Sequence, residues 1–426
     1  MMPRILDAPA RGDTAHSPAR ASPAEPDPPT RPIRVLIVDT AIAFGGTLAV
    51  ARNLLKHLDP RVIDASLVSA CSDGFVTEKF AGPARVKLLS PYADYVKLGD
   101  WKHTIHERIN WQPLRRTLEL AAIIAGIIAN IPYMLRLAML CRRRKIDIVH
   151  INNFTMEALW TARALRIPII YHLHGHISPR LERSAKRNFL SVRKFVSVSA
   201  DVTKSAINAG IDPRHIQTIP NFVDRSPNAS PPPMPERPAI GIFGRVTRWK
   251  GQKQFLMAAL RVLPNFPELR VLIVGDRSDT SPIYMEECRE IAQASNFADQ
   301  IEFTGRVTDV TRYYRQCSIV VHASTSPEPF GMVLIEAMAQ ARPVIASAFG
   351  AASEIITDGI EGFIVNPNDT TALSEKITEL LSNPRQAESM GAAGLTRVRA
   401  MYDPHIGARR FEKLYAELAP ETSVRK

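Results

Sequence analysis

Two pairs of charged residues in the second half of the chain could handle an anionic ligand rich in hydroxyls. Arg245 and Lys250 lie in GRVTRWKG at 244–251, and Glu328 and Glu336 lie in EPFGMVLIEAMA at 328–339. Two cations beside Gly244 and Gly251, where the lack of a side chain permits close backbone approach, can clamp a diphosphate. Two carboxylates eight positions apart can reach different parts of one elongated ligand, one the hydroxyls of a sugar and the other the diol of a ribose. Between them, Phe330 and Gly331 lead into a helix whose unpaired first amides form a ready anion site. Glu336 is hemmed by apolar neighbours in VLIEAMA, so its carboxylate needs a partner. A second turn, FGAASEI at 349–355, offers further amides from Gly350. The chemistry that fits is departure of a phosphate-bearing group whose developing charge is met by fixed cations and helix amides. The other solution, a divalent metal on clustered carboxylates, has no Asp-x-Asp pair to hold it, so neither metal nor cofactor is expected.

These residues sit at the joints of an alternating pattern. IRVLIVD (33–39) is a β-branched run followed by a loop with Gly45 and Gly46 and then the helix-like TLAVARNLLKHL. DIVHIN (147–152), PIIYHLH (168–174) and KFVSVS (194–199) repeat the scheme. After the proline-dense SPNASPPPMPERP (226–238), which can carry neither helix nor ladder, a second series begins with AIGIFGR (239–245), LRVLIVGD (269–276), QIEFTG (300–305), SIVVHAS (318–324), PVIASAF (343–349) and GFIVN (362–366). Strands alternating with helices predict an α/β chain of two Rossmann-like, doubly wound parallel-sheet domains facing a cleft. The expected division is 33–225 for the first domain, 226–238 for the linker, 239–401 for the second domain and 402–426 for a terminal helix. Residues 1–32, rich in Pro, Ala, Asp and Arg, are expected to form a disordered extension.

A length of 426 residues suits two domains, and 45% hydrophobic with 23% charged residues excludes a disordered or polytopic membrane chain. Four scattered cysteines without companion histidines point to reduced thiols in the cytoplasm rather than to disulfides or zinc. The net charge of +12 is concentrated: residues 101–145 carry +7 and residues 180–194 carry +5. Such a face seeks an anionic partner. Nucleic acid is not expected, because no aromatic-interleaved or zinc motif accompanies the charge. Within 114–145, Leu120, Ile123, Ile124, Ile127, Ile128, Ile131, Met134 and Leu135 fall on one helical face, flanked by Arg115, Arg116 and the run Arg142 to Lys145. Sixteen uncharged residues broken by Pro132 are too short to span a bilayer. Packing within the domain and an anionic membrane surface both account for that stripe.

In order and spacing, GRVTRWKG, LIVGD, FTGRV, EPFGMVLIEAMA, ARPVIAS and GFIVNPND resemble the nucleotide-sugar domain of glycosyltransferase family 4, whose members have the GT-B fold and retain anomeric configuration. The resemblance covers 239–385 and, more loosely, 33–224. It implies that Arg245 and Lys250 bind the donor diphosphate, that Glu328 contacts the transferred sugar and that Glu336 holds the ribose. It also implies that Gly45 and Gly46 face the donor phosphates and that His174 in YHLHGH lies near the sugar, with His172 and His176 close by. Three positions depart from the family pattern: Phe222 in IPNFVD replaces a glycine, Ala351 replaces the second of a glycine pair, and no glutamate follows Gly46 at Thr47 or Leu48. The activity implied is metal-independent transfer of a hexose-type sugar from a UDP- or GDP-sugar to a lipid-linked or cell-surface glycan, by an enzyme peripheral to the inner face of the plasma membrane. A soluble synthase with a small phosphorylated acceptor, or a non-catalytic protein that binds a nucleotide sugar, shares parts of the pattern.

Overall fold

The computed structural model describes residues 31–41, 45–70, 85–88, 112–153, 155–177, 189–224, 230–277 and 282–420. The extension expected over 1–32 lies almost wholly outside the described residues, as do four of the six basic residues at 180–194. The first sheet contains β1 (Ile33–Asp39), β2 (Ile63–Ser69), β3 (Arg85–Leu88), β4 (Ile148–Ile151), β5 (Ile169–Leu173), β6 (Lys194–Ser197) and β7 (Ile216–Thr218). Their order is β3-β2-β1-β4-β5-β6-β7, and every pair is parallel. The second sheet contains β8 (Ala239–Phe243), β9 (Arg270–Val274), β10 (Ile301–Gly305), β11 (Ile319–His322), β12 (Val344–Ser347) and β13 (Gly362–Val365). It runs β10-β9-β8-β11-β12-β13, again all parallel.

This is the expected pair of doubly wound sheets, each with helices on both faces. β2, β3 and β7 escape the sequence reading. In IDASLVS, Asp64 and Ser66 interrupt the apolar run, and Ser66 is buried because it accepts a hydrogen bond from Arg144 Nη1 at 2.8 Å. In each sheet the chain reverses its direction of winding between two central strands, β1 and β4 in the first, β8 and β11 in the second. The crevice outside the carboxyl ends of those strands is where such sheets bind ligands.

The helix Pro404–Leu418 completes the core of the first sheet: Phe411, Leu414 and Tyr415 are buried among Ile33, Val35, Leu54 and Val196. One departure from the family pattern finds its reason here. Phe222 fills the space where a Cβ on Gly407 would stand, 2.0 Å from the Phe222 ring, so the large residue in the connector and the small one in the last helix fit each other. The connector is also held from the other side. Arg342, fully buried, donates to the carbonyl of Pro233 at 2.7 Å and that of Arg315 at 3.2 Å.

Candidate active site

The second crevice is built around Glu328. Lys250 Nζ donates to both of its carboxylate oxygens, at 2.6 and 2.7 Å, Ser324 Oγ donates to Oε2 at 2.7 Å, and His322 Nε2 stands 3.2 Å from the same oxygen. β11 supplies His322 and, just beyond its end, Ser324; residues two apart in an extended chain point the same way. Lys250 comes from the single 3-10 turn Arg248–Lys250 after β8. That turn ends on Gly251 at φ 75°, where a Cβ would lie 1.9 Å from the carbonyl oxygen of Ala323, so only glycine lets the two loops meet. Glu328 is nearly buried, and burial alone would raise its carboxyl. His322 and Lys250 outweigh that and hold it well below the usual carboxylate range, ionised.

The loop that carries Glu328 is fixed by its backbone. Gly350, at φ 81°, faces Glu328 so closely that a Cβ would stand 2.3 Å from the Glu328 nitrogen and oxygen, while Ala351 N donates to Glu328 O at 3.0 Å. Ala351 itself has an ordinary φ of −81°, so the alanine in place of a second glycine carries no strain. Gly331, at φ 102°, starts the helix Met332–Ala339, whose first amides have no side-chain cap. Glu336, half-buried on that helix, finds the partner its surroundings demand in Tyr314, whose hydroxyl donates to Oε2 at 2.8 Å. Arg245, beyond β8, is exposed and has no side-chain partner among the described residues. Phe330, expected with Gly331 at the anion site, turns its side chain away from the crevice. Its ring is 5% exposed and packs edge-on against Tyr402, so it anchors the loop in the core.

The cluster around His174 in the first crevice holds one carboxylate among the described residues, a buried aspartate. Asp39, at the end of β1, accepts from Ala41 N at 2.8 Å and from Asn152 Nδ2 at 2.7 Å; burial raises its carboxyl. Asn152 Nδ2 also donates to Thr47 O at 3.0 Å, and Asn152 Oδ1 stands 3.0 Å from His174 Nε2. Burial pushes His174 down to about 3, so it is neutral. Its ring lies 4.0 Å from that of His172, which bonds in turn through His150 to the hydroxyl of Tyr415. Gly45 and Gly46 begin the helix Gly46–His57, and a Cβ on either would meet nothing within 4 Å. Gly45 has extended backbone, so what these glycines contribute is clearance over the helix start.

The two crevices are joined by direct contacts. Ser199 Oγ donates to Pro329 O at 2.6 Å, and the Glu354 carboxylate accepts from Ala200 N at 2.7 Å and Asp201 N at 2.8 Å, capping the helix Ala200–Asn208 from the other domain. Asp201 also meets His176 Nε2 at 2.6 Å. Thus the loop with His174 and the loop with Glu328 are held on opposite sides of one junction. A cavity of about 160 Å³ lined by Asn152, His172, His174 and His176 opens there. A larger apolar cavity, about 550 Å³, lies farther along the first domain among Phe189, Val192, Phe195 and Ile211, where no group of either cluster lines it. Sequence reading missed His322, Ser324, Asn152, Asp39 and Glu354. The first four do sit at the ends of predicted strands, which is the one signal that could have found them.

Comparison with known proteins agrees with this architecture. Residues 44–226 match the family model described as Glycosyltransferase Family 4, and residues 228–397 match that described as Glycosyl transferases group 1. A lipopolysaccharide core biosynthesis mannosyltransferase, LpcC, of Rhizobium leguminosarum bv. viciae is 32% identical over 169 residues, 40% of this chain and 48% of that protein. A phosphatidyl-myo-inositol mannosyltransferase of Mycobacterium leprae is 29% identical over 65% of this chain and 75% of its own length. The match therefore spans about half of the first of these relatives. Among solved structures, Anabaena Alr3699/HepE in complex with UDP and glucose superposes with a TM-score of 0.72 at 20% identity, over 90% of this chain and 100% of that one, which shows the fold. With one family model on each sheet and the GT-B architecture beneath both, the chain belongs to glycosyltransferase family 4.

Proposed function

We propose that the protein is a retaining hexosyltransferase that moves a sugar from a UDP- or GDP-sugar to a lipid-linked or cell-surface glycan. It would do so without a metal, in the cytoplasm at the inner face of the plasma membrane. The observation that carries the reading is the ionised Glu328 held by Lys250, His322 and Ser324 at the second crevice, with the uncapped start of Met332–Ala339 three residues farther on. Relatives named as mannosyltransferases of lipopolysaccharide core and phosphatidyl-myo-inositol, and a fold neighbour holding UDP and glucose, support the donor and acceptor classes.

In this reading the acceptor hydroxyl enters on the face from which the phosphate departs. The bond from the anomeric carbon to phosphate oxygen breaks, the bond to the acceptor oxygen forms, and the departing phosphate oxygen takes the acceptor's proton. Arg245, Lys250 and the amides after Gly331 meet the charge on the leaving diphosphate. An ammonium carries three donors, so Lys250 can keep one on Glu328 and turn another to phosphate. Glu328 then has lone pairs left for sugar hydroxyls, and Glu336 serves the ribose. His174 and the clearance at Gly45 and Gly46 shape the opposite wall.

The test is release of nucleotide from a panel of UDP-, GDP- and ADP-sugars in the presence of membrane extract. One donor is expected to turn over, undiminished by EDTA, and Lys250→Ala and Glu328→Ala are each expected to slow it by about 10²-fold or more. Unchanged turnover in both variants overturns the site, and loss of turnover in EDTA overturns the metal-independent mechanism.

A further inference from the structure

The helix Gln112–Arg144 turns its bulky face outward. Half of the large apolar side chains exposed among the described residues are on this one helix: Leu114, Leu120, Ile124, Ile128, Ile131, Leu135 and Met139, with Ile128 and Leu135 each 59% exposed. From Leu120 to Met139 they recur at intervals of three or four and make a strip about 28 Å long at 1.5 Å per residue. Surface strips of this kind mark a partner. The opposite face is committed to the domain. Tyr133 and Leu137 are fully buried, Leu140 and Cys141 nearly so, and buried Asn130 donates to Glu157 Oε1 at 2.7 Å. The helix is long and apolar enough to cross a membrane, but it cannot do so without tearing that face out of the core.

Two features of the strip select its partner. Arg142 and Arg143 are exposed at its end and Arg136 at its flank, while no acidic residue occurs from Leu120 to Arg144. Its exposed side chains are aliphatic, without the aromatic residues that protein interfaces favour. A second copy of the chain would bring no carboxylate from its own strip to those arginines. We infer that this face lies in the plane of a membrane, with Ile124, Ile128, Ile131 and Leu135 among the acyl chains and Arg136, Arg142 and Arg143 on anionic headgroups. The inference gives a surface to the membrane location in the proposed function, and binding is read without any sugar transfer, so either can fail alone.

The full chain is sedimented with vesicles of phosphatidylcholine, with or without phosphatidylglycerol, at low and high salt. Expected is binding to the anionic vesicles that salt weakens. Ile128→Glu with Leu135→Glu is expected to weaken binding by about tenfold or more, and Arg142→Glu with Arg143→Glu to remove the preference for phosphatidylglycerol. Ile283→Glu, at an exposed apolar residue on another helix, is expected to leave binding unchanged. All these positions are exposed, and unchanged melting temperatures confirm folding. Binding that ignores the Ile128/Leu135 pair overturns the inference. So does a dimer that this pair converts to monomer while vesicle binding persists.

Discussion

The two sheets place polar clusters at equivalent points and give them opposite electrostatics. Beyond β8 and β11 the cluster is ionic: a carboxylate nearly out of water is kept charged by a lysine, a histidine and a hydroxyl. Beyond β1 and β4 histidines and an amide sit neutral beside the buried Asp39, with burial the main cause that holds the imidazoles down. The difference follows from the loops. The second sheet delivers Lys250 on a short turn that Gly251 lets pass against Ala323, so a cation reaches the carboxylate. The first delivers, among the described residues, glycines, Thr47, Asn152 and the buried Asp39 around His174, and no cation comparable to Lys250. A site divided in this way is suited to a ligand with a charged half and a hydroxyl-rich half.

The largest effect is expected from breaking the ionic cluster. Glu328→Ala removes the carboxylate that Lys250, His322 and Ser324 share and leaves the Lys250 cation without its ion-pair partner. Loss of one partner from a buried pair costs about 3–5 kcal/mol, which thermal or denaturant unfolding will register. Gly350→Ala attacks the same carboxylate through the backbone, since its Cβ would need the space of the Glu328 peptide. It is expected to slow nucleotide release although its side chain touches no ligand. A Gly350→Ala enzyme with full activity would mean that the Glu328 loop needs no such clamp.

Acid separates the clusters. His150 is fully buried and pushed down to about 3, so below about pH 6.5 the unfolded chain binds a proton that the folded chain refuses. Stability therefore falls with decreasing pH from about 6.5 toward 3, by up to about 1.4 kcal/mol per unit for this residue. Glu328 is depressed instead, so its contribution is complete above the usual carboxylate pKa of about 4.5 and is lost only as pH falls below it. Calorimetry from pH 7 to 4 is expected to show the transition of the first domain falling before that of the second. His150→Phe is expected to shrink the gap, and a single transition falling as a unit would contradict the assignment.

Much of this division was legible in the residues. The parallel sheets followed from alternating apolar runs, and Lys250, Glu328 and Glu336 from their spacing around glycines. What spacing cannot reveal is who pairs with whom. Glu336 plainly needed a partner, but Tyr314 comes from the helix Val310–Gln316, 22 positions earlier. That the Phe330 ring anchors its loop was likewise hidden, because its partner Tyr402 comes from beyond the second domain's last strand. Of the apolar stripe, Leu120, Ile124, Ile128, Ile131 and Leu135 are exposed while Met134 packs against the core, because which way a face turns depends on what the other side packs against, here Glu157 and the first sheet.

The smallest expected effect concerns the neutral cluster, where one amide sets a proton. Both acceptors around Asn152 Nδ2, Asp39 Oδ2 and Thr47 O, require the NH₂ end of the amide. Asn152 Oδ1 must therefore face His174, so the imidazole carries its proton on Nε2 and keeps a lone pair on Nδ1. With burial holding the ring neutral, that lone pair can accept from a hydroxyl of the ligand, and a ring in the other tautomer could not. Asn152→Leu is expected to release the tautomer and lower kcat by about tenfold, with a smaller change in KM. Nitrogen chemical shifts of labelled His174 report the proton directly. If they place it on Nε2 both before and after the substitution, Asn152 only packs and the first crevice has no built direction.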